Sequence, residues 1–412
     1  MTNFMTSVQE PAQLGARVRM IRRRRGLGLD TAAGLAGISK SYLSLLETGK
    51  RQFDRRGLLE DLATALSCSV ADITGQPYSP VDRDSADALS ALPAIRLALI
   101  EYGPDELPDV RPRPLDELVE WADRANEYRD QTRYSLAGRG IGELLTELHA
   151  HTLTSPAADR PRAFRAAATT CVVAGAIARN AGHIDLSVSA ARRGYDFAQR
   201  SEDLGLQGFS RWYWAQGLMR LAARRRVASV LADGLNELSP TLKLSADDTM
   251  PVEMAGLMHL TNAQAAARDR RADDAHRHLA EAAALAERTG DRNAMRLHFG
   301  PTNVALWRLA IGIELSEGGR AYEETIRANP DVTALGSSNR ACSLHLDLAR
   351  AVMQDGGDRD AEAIRHLDMA DRIAPQRIRV DPLARELVST LNSRARRRVW
   401  ELDSLRNRFG VG

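Results

Sequence analysis

The stretch GLDTAAGLAGISKSYLSLLETGKR, Gly28 to Arg51, restricts what this chain can fold into more than any other. Leu29, Ala32, Ala33 and Leu35 recur as the apolar face of one short helix, which Gly37 breaks. Ile38 plugs the turn from inside. Ser39 opens a second helix, because a serine hydroxyl there can accept a first-turn N–H; Leu43 and Leu46 follow at core spacing, and Gly49 ends it. The flanks complete a five-helix unit. Leu14, Val18 and Ile21 mark a first helix over Gln13 to Arg25 whose other faces are mostly arginine. Asp54 is placed to cap a fourth helix carrying Leu58, Leu59, Leu62 and Leu66, and Ser69 with Asp72 forms a capping-box start for a fifth. Pro77 and Pro80 close the unit.

A short helix, a glycine turn and a capped second helix make the helix-turn-helix pattern, which lays its second helix in the DNA major groove. Residues 13 to 75 resemble the phage-repressor (Cro/C1, or XRE) type of this domain through LGARVRMIRRRRGLGL, LAGISKSYLSLLETGKR and LATALSCSVADI, with Gly26-Leu27, Ala36-Gly37, Ser39, Tyr42, Glu47 and Gly49 in place. The resemblance implies that Lys40, Ser41, Ser44 and Leu45 meet base edges, with Tyr42 nearby, and that Arg22 pairs structurally with Glu47. Lys50, Arg51 and Arg55 are the expected phosphate contacts. One departure stands out: the family begins its second helix with a polar pair that anchors a phosphate, and this chain has Gly28-Leu29, leaving backbone N–H groups and Thr31 for that task.

At 412 residues the chain exceeds one ordinary domain. No run approaches the roughly eighteen apolar residues of a membrane span, and the first ten residues lack a signal peptide's basic-then-apolar order, so a cytoplasmic protein with no membrane partner is expected. Residues 1 to 79 hold eleven Lys+Arg against seven Asp+Glu, whereas the remainder holds 45 against 47, which puts the positive charge at the DNA-reading end. Cys68, Cys171 and Cys342 lie far apart in apolar helical contexts and read as small core residues in a reducing cell. There is no CxxC, no HExxH and no His pair at i, i+4; the glycine strings GLGLDTAAG and GRGIG follow no strand and lack a Walker lysine. Catalytic residues, metal ligands and cofactors are therefore expected to be none, and the chain is not read as an enzyme.

After a Pro-, Ser- and Asp-rich linker at 77–84, helices continue to the end and no segment demands a strand, so the class is all-α. DDAHRHLAEAAALAE and DAEAIRHLDMADRIAP repeat one another, with Ala275, Leu279, Ala282 and Leu285 at the offsets of Ala363, Leu367, Ala370 and Ile373. Small residues at helix crossings and a closing proline are what a stacked helix-hairpin solenoid requires. Six pairs are expected: 115–130 with 134–153, 162–180 with 185–201, 206–223 with 226–238, 252–269 with 273–287, 301–317 with 320–328, and 337–354 with 360–375. Residues 382–408 are expected to cap the stack. The domain reading is a flexible 1–12, a helix-turn-helix domain over 13–76, the linker, and a tetratricopeptide-like domain over 85–412. The whole chain resembles bacterial regulators that fuse these two parts, through FGPTNVALWRLAIGIELSEGGRA, DMADRIAPQRIRVDPLARELV and RARRRV. That resemblance implies a homodimer on paired DNA sites and a domain that takes a peptide or small-molecule effector.

For that effector Trp212, Asn262, Asn303, Trp307 and Asn339 are candidate groove residues, since an amide can both donate to and accept from a peptide backbone. The competing reading puts the tryptophans in the core and the asparagines at caps or in water. Arg224 to Arg226 and Arg394 to Arg398 read as solvated faces or carboxylate partners. The expectation is thus a sequence-specific DNA-binding transcriptional regulator. The alternative is a protein-binding scaffold in which the helix-turn-helix is a tether or is masked by a partner.

Overall fold

A computed structural model of the chain describes residues 13–242, 248–356, 358–395 and 398–411. The expected flexible N-terminus, 1–12, lies outside the described residues, as do Arg396 and Arg397 of the second arginine run. No strand is present among the described residues; a single antiparallel bridge joins Arg292 and Phe299. The chain forms two compact units, residues 1–76 with 382–412 and residues 77–381.

The first unit, the head, begins with α1 (Leu14–Arg24), α2 (Leu29–Leu35), α3 (Lys40–Glu47), α4 (Arg56–Ala65) and α5 (Val70–Thr74). Leu14, Val18, Ala32, Leu43, Leu46, Leu58, Leu62 and Ile73 form its core. Gly37, at φ +65°, makes the turn between α2 and α3 in a left-handed conformation that glycine adopts without strain. The Ser69–Asp72 capping box is complete: Asp72 N–H donates to Ser69 Oγ at 3.0 Å and Ser69 N–H to Asp72 Oδ2 at 2.8 Å. The fourth helix departs from expectation, because Arg55 rather than Asp54 is its N-cap and makes no side-chain cap bond.

The second unit, the body, runs through α6 (Arg83–Ser90), α7 (Leu92–Ile100), α8 (Leu115–Asp130), α9 (Tyr134–Ala137) and α10 (Ile141–Thr154). Five hairpins follow. They are α11 (Arg160–Asn180) with α12 (Ile184–Gln199), α13 (Leu204–Arg220) with α14 (Arg224–Leu238), α15 (Met250–Arg268) with α16 (Ala272–Thr289), α17 (Pro301–Glu314) with α18 (Gly318–Ala328), and α19 (Ser338–Asp355) with α20 (Asp360–Ile373). The short α21 (Pro375–Ile378) ends the unit. The first helix of each hairpin packs on the first helix of the next, the arrangement of a helical-repeat stack. Ala275, Ala282, Ala363 and Ala370 are all buried, so the small residues of the repeat sit where helices cross closely. The expected helix at 134–153 is two, divided by the Gly138-Arg139-Gly140 turn.

Polar bonds tie the start of the body to its later hairpins. Asp130, at the end of α8, accepts from His298 Nε2 at 2.7 Å and from Ser337 Oγ at 2.6 Å. Burial alone would raise this carboxyl, but His298 and Arg129 hold it below its ordinary range. Gln131 Nε2 donates to the Gly336 carbonyl, and Asn180 Nδ2 to the Gln376 carbonyl.

Residues 382–408 do not cap the repeat stack. They form α22 (Pro382–Arg394) and α23 (Trp400–Phe409), which belong to the head. Leu383 joins the head core, and the Leu14 N–H at the start of α1 donates to the Glu386 carboxylate. Arg385 Nη1 reaches the Phe409 carbonyl at 2.5 Å and closes the hairpin.

Candidate nucleic-acid interface

The geometry of α3 follows from what its two sides meet. Leu43 and Leu46 are fully buried in the head core, and Ser39 Oγ accepts the Tyr42 N–H at 3.1 Å, completing the cap. On the other side Lys40, Ser41 and Leu45 are exposed, and Ser44 partly so. Leu45 is an apolar residue left 37 % accessible.

Two contacts hold α3 against α1. Arg22 donates from Nε and Nη2 to the two Glu47 carboxylate oxygens at 2.5 and 2.7 Å, and from Nη1 to the Leu27 carbonyl at 2.9 Å. Glu47 raises the guanidinium pKa against the opposing effect of burial. Such a two-toothed pair is geometrically exacting, and breaking it would strand a buried charge. Arg22 is therefore spent inside the head, as the resemblance implied. The second contact is steric: a Cβ on Gly15 would lie 2.1 Å from the Leu46 carbonyl oxygen, so α1 can approach α3 this closely only with glycine there.

The other predicted residues fall into three positions. Lys40 Nζ donates to Asp30 at 2.7 Å, in a pair with side chains 58 % and 72 % exposed. A pair this exposed contributes on the order of 0.2–1 kcal/mol, weak enough to yield to a base edge. Lys50 and Arg51 are exposed just beyond Gly49, their backbone N–H groups both bonded to the Leu45 carbonyl at 2.9 and 3.1 Å. Arg55, the third expected phosphate contact, is largely buried. Its side chain is 14 % exposed, lies 3.7 Å from Asp54 and is hydrogen-bonded to Tyr42, so it braces the half-buried tyrosine from within. Burial pushes the Tyr42 hydroxyl up, Asp54 adding to this and Arg55 opposing. At the start of α2, Gly28 is an N-cap without a side-chain bond, Asp30 occupies the first turn, and Thr31 is exposed beside it.

The candidate effector residues separate by burial. Trp212 donates through Nε1 to Thr261 Oγ1 at 3.0 Å and is buried; Trp307 is buried in the same body core cluster; Asn303 is wholly inaccessible, with Nδ2 directed at the Leu297 carbonyl at 3.4 Å. All three are buried on helices packed among several others, with Asn303 Oδ1 and Trp307 Nε1 lacking a hydrogen-bond partner. Asn262 and Asn339 keep partial access. The arginine runs behave as carboxylate partners and solvated faces: Arg224 pairs with Asp269 at 3.1 Å and Arg398 with Asp403 at 2.6 Å. Sequence reading also passed over four single arginines near helix ends: Arg129 on α8, Arg179 on α11, Arg340 on α19 and Arg377 on α21. No run or spacing marks them; a basic residue at one helix end after another was the available signal.

A capped second helix locked onto the first by a buried ion pair, with a polar face outward and cations beyond its end, defines a helix-turn-helix reading head. Residues 13–74 match the family model described as a helix-turn-helix domain. Over 63 residues the chain is 36 % identical to y4mF, an uncharacterized HTH-type transcriptional regulator of Sinorhizobium fredii, covering 15 % of this chain and 82 % of that protein. The chain belongs to the family of helix-turn-helix transcriptional regulators. Among solved structures, Bacillus thuringiensis PlcR, crystallised with the peptide PapR7 and DNA, aligns with 67 % of this chain and 95 % of its own at 13 % identity and a TM-score of 0.28. No helix among the described residues is long and apolar enough to cross a membrane.

Proposed function

We propose that this regulator binds an operator as a homodimer and that its helical-repeat body senses a peptide or small-molecule effector. Lys40, Ser41, Ser44 and Leu45 face base edges in the major groove, Tyr42 supports them from its half-buried position, and Lys50 and Arg51 hold phosphates. The observation that carries this reading is the two-sided burial of α3: Leu43, Leu46 and Glu47 are buried, and the residues between them are free to meet DNA. Each good base contact contributes about 1–3 kcal/mol of discrimination. A stack of helix hairpins supports the sensing role because such stacks present extended surfaces to ligands and partners.

Footprinting of the purified protein across its own upstream region, with light scattering on the same sample, tests the proposal. The expected result is one protected region with two related half-sites about one helical turn apart, bound by a dimer. Genome-wide pulldown then covers distant operators. A chain that protects no DNA in either assay at low salt, where phosphate contacts are strongest, and instead co-purifies with a protein would be a scaffold.

A further inference from the structure

We propose that the body holds an oxyanion, the phosphate or carboxylate of a small-molecule effector, among Arg129, Arg179, Arg340 and Arg377. This rests on the reading that the body senses an effector, and it names the chemistry of that effector.

The fold brings these four residues together from four helical segments. Ser337 Oγ bonds Asp130 at 2.6 Å, which sets the N-cap of α19 against the end of α8 and so Arg340 near Arg129. Asn180 Nδ2 bonds the Gln376 carbonyl at 2.8 Å, which sets the end of α11, and Arg179, against α21. Arg377 Nη2 donates to Ser343 Oγ at 2.9 Å, and Ser343 lies one helical turn beyond Arg340 on the same face of α19. Arg129 donates to Asn126 Oδ1 at 2.7 Å and to the Arg296 carbonyl at 3.1 Å.

The charges in this region do not balance. Among the described residues none of the four guanidiniums makes an ion pair; of the carboxylates that act on them, Asp130 is engaged by His298 and Ser337, and Asp381 acts on Arg377, which leaves four guanidiniums against two carboxylates. Arg340 Nε, Arg377 Nη1 and the Tyr213 hydroxyl are buried without a hydrogen-bond partner. Burial pushes the Arg340 guanidinium down to about 10; Asp130 opposes the shift, while Arg377, Arg129 and Arg179 reinforce it. Buried polar groups in native proteins are paired, and buried cations are paired or ligand-bound. Guanidinium forks match the oxygens of phosphate and carboxylate, and several converging forks with a tyrosine hydroxyl supply more donors than the surrounding protein accepts.

The experiment uses the full chain, with inorganic phosphate and citrate as separate probes against sodium chloride at matched ionic strength. Thermal unfolding and titration calorimetry are read for wild type, Arg340→Gln, Arg179→Gln and Arg398→Gln. Arg179→Gln guards against misfolding, since Arg179, unlike Arg340, has no side-chain atom that is buried without a partner. Wild type should show saturable stabilisation by at least one probe, weakened at least tenfold in both body variants and unchanged in Arg398→Gln, whose side chain is exposed on the head; the preferred probe tells phosphate from carboxylate. No saturable binding to wild type, or equal binding in both body variants, overturns the proposal. Footprinting on the same preparations reports separately on the regulator reading, so a lost footprint with intact anion binding, or the reverse, shows which has failed.

Discussion

Arg22 and Lys50 are both cations of the head, and their surroundings give them opposite tasks. Arg22 is buried on Glu47, where an unpaired guanidinium would be costly, so it acts on the angle of α3. Lys50 stands in solvent beyond the helix end and is free to displace counterions from a DNA backbone. Lys50→Ala is expected to weaken binding to every DNA sequence alike and to reduce the slope of log K against log salt by about 0.9, which affinity measurements over a range of salt concentrations would check. An unchanged slope would remove Lys50 from the interface. The resemblance implied the Arg22–Glu47 pair, which the structure contains, whereas Arg55, expected at a phosphate, lies folded against Tyr42 and Asp54. The difference is physical: a motif gives a residue's place along a helix, whereas the direction of a long side chain depends on which counter-charge lies nearest after folding.

Among elements, the crossing of α1 and α3 is the most exacting contact of the head. Because a Cβ at Gly15 would press on a backbone carbonyl that cannot rotate away, Gly15→Ala should destabilise the head by about 1–3 kcal/mol despite alanine's better helix propensity. Urea unfolding would measure this. The same variant should bind DNA more weakly as α3 shifts, and a neutral effect on both would show that the helices part without cost. The repeat hairpins were legible because alanine at crossings and leucine at core offsets recur in 272–289 and 360–373. The Gly138–Gly140 break was not read, since 134–153 keeps its apolar rhythm on either side of it.

For the whole molecule, the decisive feature is the return of the C-terminal hairpin to the head. Glu386 receives the Leu14 N–H in surroundings whose burial raises its carboxyl to about 7, the backbone bond opposing. In the unfolded chain this group ionises near 4.5, so unfolding releases its proton between those values. Its stabilising contribution is full below pH 4.5 and lost as pH rises through 7. Glu386→Gln should remain equally stable across that range where wild type loses stability, which denaturant titrations at pH 5 and pH 8 would show. Parallel curves for the two proteins would mean that the carboxyl titrates alike folded and unfolded.

The chain's own order of residues determined the helices, the five-helix head and the repeat hairpins, because periodicity, caps and glycine turns are local properties that survive without tertiary context. Whether an amphipathic helix buries its face on one neighbour or another is not local: 382–394 carries a good apolar stripe, but only packing assigned it to the head. The same holds inside the body. Trp212, Asn303 and Trp307 were candidates for a ligand face by composition and are buried in the fold, while four isolated arginines converge only because hydrogen bonds between distant segments fold their helix ends together. Burial and convergence are properties of three dimensions, set by contacts between residues that the sequence keeps far apart.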